Sequence, residues 1–70
     1  MTKEQAAQRM GQRITVLRKM KDMSQQELAD RVGVKKSYIS RIENGRVEPS
    51  AGLFLSILDA LGLSITRPAL

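Results

Sequence analysis

The fold is decided by residues 24–45, which read SQQELADRVGVKKSYISRIENG. Ser24 is a residue type that caps helix N-termini, and it predicts a helix over 25–32 that ends at Gly33. A second helix is predicted over 36–43, and the Asn-Gly pair that follows it is suited to end it. Two short helices therefore meet at a tight turn that contains glycine.

A longer helix is predicted upstream, over about 3–21. Thr2 and Gln5 have the spacing of a capping box, and apolar residues then recur every three or four positions. These apolar positions are Met10, Ile14 and Leu17, continued by either Met20 or Lys21. Gly11, in the middle of this helix, costs roughly 1 kcal/mol relative to alanine, which favours a neighbour packed close against it.

A fourth helix is predicted downstream, opened by Pro49 and Ser50 and ended by Gly62. Its apolar face consists of Leu53, Phe54, Ile57, Leu58 and Leu61. Residues 63–66 then alternate between apolar and polar side chains, as a short strand does. The sequence thus predicts an all-α fold, a four-helix unit that fills residues 1–70 as a single domain, with a short C-terminal β-strand as an open alternative for the tail 63–70.

The two central helices and their flanks resemble the helix-turn-helix of the Cro and lambda-repressor-like (XRE-type) DNA-binding family. The likeness covers roughly residues 8–62 and includes Gly11, Ile14, Leu17 and Arg18, the run from Ile39 to Gly45, and then Pro49, Ser50, Leu61 and Gly62. Within the helix-turn-helix, about 25–43, a small residue lets the helices approach, a glycine turns the chain, a valine fills the corner and two isoleucines anchor the second helix. These residues are Ala29, Gly33, Val34, Ile39 and Ile42.

The second helix of this motif has a polar face that is a candidate for reading DNA bases. Side chains advance about 100° per residue, so four polar residues lie on the side opposite to the two isoleucines. These four are Lys36, Ser37, Ser40 and Arg41. Such a face fits the major groove, where Arg or Lys can read guanine and Ser can adapt to several bases. Any amphipathic surface helix shows the same pattern, and the surrounding motif favours DNA.

Five more residues are candidates for contacts with the DNA backbone, namely Gln25, Lys35, Tyr38, Asn44 and Arg46. The resemblance implies such contacts just before and just after the recognition helix, and at Gln25, where the first amides of a helix and a side-chain amide can both donate to phosphate. A solvated first-turn residue is the alternative at Gln25. Tyr38 lies at the edge between the two faces, with its ring on the preceding helix and its hydroxyl free to meet DNA.

Glu43 is an acidic residue beside this proposed DNA surface. The resemblance implies that it forms an ion pair with Arg18, which ties the first helix to the end of the third and hides the carboxylate from phosphates. A solvated Glu43 is the alternative. The other cations of the first helix are expected to form a solvated face and are assigned no site; they are Lys3, Arg9, Arg13, Lys19 and Lys21.

The C-terminal end is the candidate surface for a homodimer, because family members usually bind two half-sites about one helical turn apart. Leu61, Leu63 and Ile65 are too apolar for a free tail, and a strand over 63–66 could pair with its two-fold mate. Pro68 would limit its length. The alternative is that Leu63 and Ile65 cover the chain's own core. The tail is also similar to the strand-forming ends of antitoxin-type relatives that bind a toxin.

Composition excludes several classes of function. The 70 residues contain no cysteine and no histidine, so disulfides, thiolate or imidazole metal sites and the common nucleophile and base pairs are absent. We therefore expect no enzyme, no cofactor and no metal. The net charge is +5, and the whole excess lies within residues 1–21, which suggests an anionic partner. The longest apolar stretch, 51–63, is too short to span a bilayer, so a cytoplasmic, nucleoid-associated protein without a membrane partner is expected.

Together these features predict a sequence-specific regulator of transcription that binds double-stranded DNA as a homodimer, and that represses by blocking polymerase. The alternative is an antitoxin or adaptor whose main partner is a toxin or another protein, with DNA binding serving its own regulation.

Overall fold

A computed structural model describes residues 1–63. Its elements are four α-helices in chain order: α1 at Lys3–Met20, α2 at Gln25–Val32, α3 at Lys36–Glu43 and α4 at Ala51–Ala60. The predicted all-α architecture is confirmed, and residues 1–63 contain no strand. The strand predicted over 63–66 lies outside the described residues from position 64 onward.

Three of the four helices begin at a side-chain cap. Thr2 and Gln5 form the predicted capping box, with hydrogen bonds of 2.8 and 3.1 Å between each side chain and the other residue's amide. Ser24 and Glu27 form a second capping box at α2, with bonds of 2.8 and 3.0 Å. Ser50 accepts a 3.1 Å bond from an amide in the first turn of α4. Each start is therefore fixed locally, as the capping residues predicted.

The core is built where α3 packs against α1 and α2, and where α4 packs against α2. Its large side chains are at most 1% exposed and are Ile14, Leu28, Ile39, Ile42, Ile57 and Leu61. Ala29, on α2, is completely buried and contacts this cluster. The small side chain at this position leaves room for α2 and α3 to lie close together, so the core holds the two helices of the motif in a fixed arrangement.

Gly11 lies where α1 meets the C-terminal end of α3. A Cβ atom at this position would collide with the carbonyl oxygen of Ile42 and would lie 2.9 Å from that of Glu43. The close packing predicted from a glycine in the middle of a helix is therefore confirmed. The absence of a side chain here sets the distance between the two helices.

One prediction from apolar periodicity and one from the apolar C-terminal end are wrong. The apolar stripe of α1 ends at Leu17, because Met20 is 72% exposed and Lys21 lies beyond the last helical residue. Leu61, assigned to a dimer interface, is 1% exposed and belongs to the chain's own core. Within residues 1–63, no helix combines the length and apolar character that crossing a membrane requires.

Candidate nucleic-acid interface

The turn between α2 and α3 is held by two backbone hydrogen bonds. The amides of Gly33 and Val34 both donate to the carbonyl of Ala29, at 2.9 and 3.0 Å. Gly33 has a φ of +78°, a left-handed conformation that glycine adopts without the strain of a Cβ atom. Val34 is half-buried and packs against the core cluster. The turn therefore fixes how α3 is presented relative to α2.

The two faces of α3 are separated as the sequence predicted. Ile39 and Ile42 are 0% exposed and anchor the helix. On the other side, Lys36, Ser37 and Arg41 are exposed, and Ser40 is half-buried. The four residues predicted to read bases are thus brought onto one accessible surface, which we call the recognition face. Their contacts with bases stay a prediction.

The residues predicted to touch the DNA backbone flank this face. Lys35, Asn44 and Arg46 are exposed, the first just before α3 and the other two just after it. The side-chain amide of Asn44 donates to the carbonyl of Ser40 at 2.9 Å, which steadies the end of the helix. Tyr38 is half-buried against the core cluster. Its side chain packs against the core, and its predicted contacts with α2 and with DNA stay predictions.

Arg18 and Glu43 form the ion pair that the resemblance implied. Nε of Arg18 lies 2.7 Å from Oε2 of Glu43, and its Nη2 donates to Oε1 at 3.0 Å. The remaining terminal nitrogen of Arg18, Nη1, donates to the carbonyl of Met23 at 2.7 Å. The two side chains are only 10% and 5% exposed. The pair is bidentate, and it joins α1, the α1–α2 connection and the end of α3.

Gln25 completes this network, and sequence reasoning missed its part. Nε2 of Gln25 donates to Oε1 of Glu43 at 3.0 Å, so Gln25 does not point simply outward. No spacing rule relates positions on different helices, so the sequence does not connect Gln25 with Glu43. An amide nitrogen carries two N–H donors, so one donor of Gln25 remains for a phosphate oxygen.

The charge of Glu43 is kept by its partners. Burial raises the pKa of Glu43, but hydrogen bonds from Arg18 and Gln25 and the positive charge of Arg18 outweigh that effect and hold the pKa below its usual value. The hydrogen bond to Glu43 in turn raises the pKa of Arg18. The carboxylate is therefore ionised at neutral pH. Arg18 neutralises its charge within the fold, so the charge is not directed at the recognition face.

Two short helices at a glycine turn, the second of them exposing a polar face, define a helix-turn-helix domain. A helix-turn-helix family model matches residues 14–67. The chain therefore belongs to the helix-turn-helix family, as its resemblance to the Cro and lambda-repressor-like proteins predicted.

Two curated relatives are named as a repressor and as a transcriptional regulator. The chain is 33% identical over 57 residues to an immunity repressor protein of Bacillus phage phi105, covering 81% of this chain and 40% of that protein. It is 41% identical over 54 residues to an uncharacterized HTH-type transcriptional regulator, y4dL, of Sinorhizobium fredii, covering 77% and 28%. The chain thus spans less than half the length of either relative. No solved structure gives a significant match.

Proposed function

We propose that this protein regulates transcription by binding a specific site on double-stranded DNA, with the recognition face of α3 in the major groove. The observation that carries the proposal is the separation of faces on α3, where two fully buried isoleucines oppose four accessible polar residues. A helix held this firmly can place Lys36 and Arg41 at base edges reproducibly, which direct readout requires.

The charges around α3 support contact with phosphates. Lys35 and Arg46 lie exposed on either side of the helix, beyond the cations of the recognition face itself. The one carboxylate on α3, Glu43, is neutralised by Arg18 and 5% exposed, so it adds little repulsion. A surface with cations at its edges and donors at its centre matches the phosphate–groove–phosphate order of duplex DNA.

We further propose that the protein acts as a repressor and as a homodimer. Repression is supported by the relative named as an immunity repressor. A dimer is supported by the small area of one recognition helix, since such domains usually occupy two half-sites about 10 base pairs apart. Leu63 is 40% exposed and remains available for the interface, whereas Leu61 is buried and Ile65 lies outside the described residues.

Selection of bound sites from random duplex DNA tests the proposed function. The selected pool should converge on one sequence with two-fold symmetric half-sites, and the purified protein should bind it at least about 10³-fold more tightly than random duplex at the same salt concentration. Arg41→Ala should lower this ratio. A pool that fails to converge, or equal affinities for the selected and the random duplex, would overturn sequence-specific binding.

Truncation after Gly62 tests the homodimer separately. The shortened chain should keep its helical circular dichroism but sediment as a monomer, and its affinity for the symmetric site should fall by orders of magnitude because the two units are no longer tethered. The slope of log affinity against log salt should also decrease, since a monomer neutralises fewer phosphates. A truncated chain that remains a folded dimer would place the interface on another surface, and an unfolded one would mean that the chain's own fold requires the residues beyond Gly62.

A further inference from the structure

An apolar groove lies between α1 and α4, on a part of the molecule that the proposed DNA surface does not use. It has a volume of about 670 Å³ and is open to solvent. Its apolar lining is contributed by Met10, Leu17, Phe54, Leu58 and Leu63. None of these side chains is fully buried, and Leu63 is 40% exposed. The groove therefore presents a continuous apolar floor to solvent.

One wall of the groove is cationic. Arg9 and Arg13 line it together with the apolar residues, and both are exposed. They are four residues apart on α1, so their side chains lie on one side of the helix. The described lining residues include no carboxylate, and within residues 1–63 the one ion pair is that of Arg18 with Glu43. The groove thus combines apolar contacts with unneutralised positive charge.

The groove and the DNA surface lie on different sides of α1. Thr15 lines a second depression that it shares with Gln25, Glu43 and Asn44, beside the end of α3. At about 100° per residue, Arg13 points roughly 160° away from Thr15 around the helix axis. A ligand in the groove would therefore leave the recognition face free.

We propose that this groove binds an amphipathic helix of a partner protein, one whose apolar face is flanked by Asp or Glu. Helices seat in grooves of this kind through apolar residues at positions i, i+3 or i+4, and i+7, which here would contact Phe54 and Leu58 on one side and Met10 and Leu17 on the other. Carboxylates at the edge of that helix pair with Arg9 and Arg13 in charge-assisted hydrogen bonds. This interaction goes beyond the proposed DNA binding and does not depend on it.

Charge favours such a partner over a second copy of this chain. A two-fold contact of groove against groove places the same patch on both sides of the interface. Four arginines, Arg9 and Arg13 from each copy, would then share one interface, with no carboxylate among the described lining residues. Like charges across an interface oppose association, whereas an acidic helix relieves the positive charge.

Titration of the full chain with designed peptides tests the proposal. The probe is a synthetic helix of about 18 residues with leucines along one face and glutamates along its edges, compared with a scrambled peptide of equal composition and with a version carrying Lys in place of Glu. NMR amide shifts should saturate around Met10, Leu17, Phe54 and Leu58. The acidic helix should bind roughly tenfold or more tightly than either comparison peptide.

Charge reversal supplies the decisive variant. The double variant Arg9→Glu, Arg13→Glu changes exposed residues only, so it should stay folded, lose binding of the acidic helix and gain binding of the basic one. The double variant Lys3→Glu, Lys19→Glu is the matched control, because it makes the same charge change at two exposed positions of the same helix outside the groove. This control should bind the acidic helix as the parent does.

Four results would overturn the proposal. The first is equal affinity for the acidic and the scrambled peptide, and the second is a set of shifts outside the groove. The third is a change in sedimentation of the double variant without peptide, which would make a second copy of the chain the occupant. The fourth is binding of the acidic helix only by a chain truncated after Leu63, which would make the chain's own C-terminal segment the occupant.

Discussion

Gln25 and Glu43 are 18 residues apart in the chain and share a hydrogen bond of 3.0 Å from Nε2 to Oε1. This bond connects the first residue of α2 to the last residue of α3. Because Glu43 also accepts two bonds from Arg18, one carboxylate holds α1, α2 and α3 together at the edge of the proposed DNA surface. A change at Glu43 should therefore affect both folding and the position of Gln25.

The pH dependence of stability should show the contribution of Glu43. Its pKa is lowered in the folded state, so the stabilisation is present above the unfolded value of about 4.3 and is lost as the pH falls through the folded pKa. Urea unfolding of the parent should give a free energy of unfolding that is constant near neutral pH and that decreases below about pH 5. Stability that rises on acidification would contradict this assignment.

Two variants isolate the Glu43 contribution. Glu43→Gln should lower the free energy of unfolding at pH 7 by about 1 to 3 kcal/mol, because the amide offers Arg18 one acceptor oxygen in place of two and no negative charge, and it should flatten the acid slope. Part of the slope should persist, since hydrogen bonds from Ser24 also lower the pKa of Glu27. The exposed Glu48→Gln is the control and should unfold like the parent. Equal slopes in the parent and in Glu43→Gln would remove Glu43 from the account.

Arg41 and Gln25 should respond differently to substitution by alanine. Arg41 is exposed on the recognition face, so Arg41→Ala should weaken binding to the selected site by about 1 to 3 kcal/mol and leave binding to random duplex nearly unchanged. Gln25→Ala should weaken binding to every duplex without changing the preferred sequence, because phosphate contacts carry no base information. Fluorescence anisotropy with both duplexes at one salt concentration measures this. Equal losses for Arg41→Ala on both duplexes would make Arg41 a phosphate contact.

The sequence predicted most of the fold because its signals are local. Ser24 caps the start of α2 and Gly33 ends it, each through contacts within one helical turn. The bounds predicted for this helix are therefore those found in the structure. Periodicity placed Leu61 correctly on the apolar face of the fourth helix, whereas its assignment to a dimer interface rested on apolar character alone, which cannot separate a chain's own core from an interface. The bond between Gln25 and Glu43 and the groove beside Arg13 depend on distances between helices, for which a single sequence has no spacing rule.

Gly11→Ala should destabilise the protein although alanine is the better helix former. The new Cβ would collide with the carbonyl oxygen of Ile42, and a backbone atom can move away only if α1 and α3 separate. We expect a loss of about 1 to 3 kcal/mol in the free energy of unfolding, as for other overpacked sites. Gly52→Ala is the matched control, since it lies in α4 with open space around it and should gain about 0.5 to 1 kcal/mol. Urea unfolding of both variants measures this difference in the free energy of unfolding. A gain in stability for both substitutions would contradict the prediction.

Ala29→Leu tests whether the close approach of α2 and α3 is what presents the recognition face. Ala29 is 0% exposed, and its carbonyl accepts both hydrogen bonds of the turn, so a larger side chain must displace α3 or the turn itself. Overpacking of this kind costs about 1 to 3 kcal/mol, a large share of the stability of so small a domain. Ala51→Leu, at the exposed start of α4, adds the same atoms outside the core and should change stability by no more than about 0.5 kcal/mol.

If Ala29→Leu is still folded at low temperature, its affinity for the selected duplex should fall well below that of the Ala51→Leu control, because Lys36 and Arg41 are displaced together. A variant at Ala29 that unfolds and binds like the parent would mean that α2 and α3 are not packed through this residue.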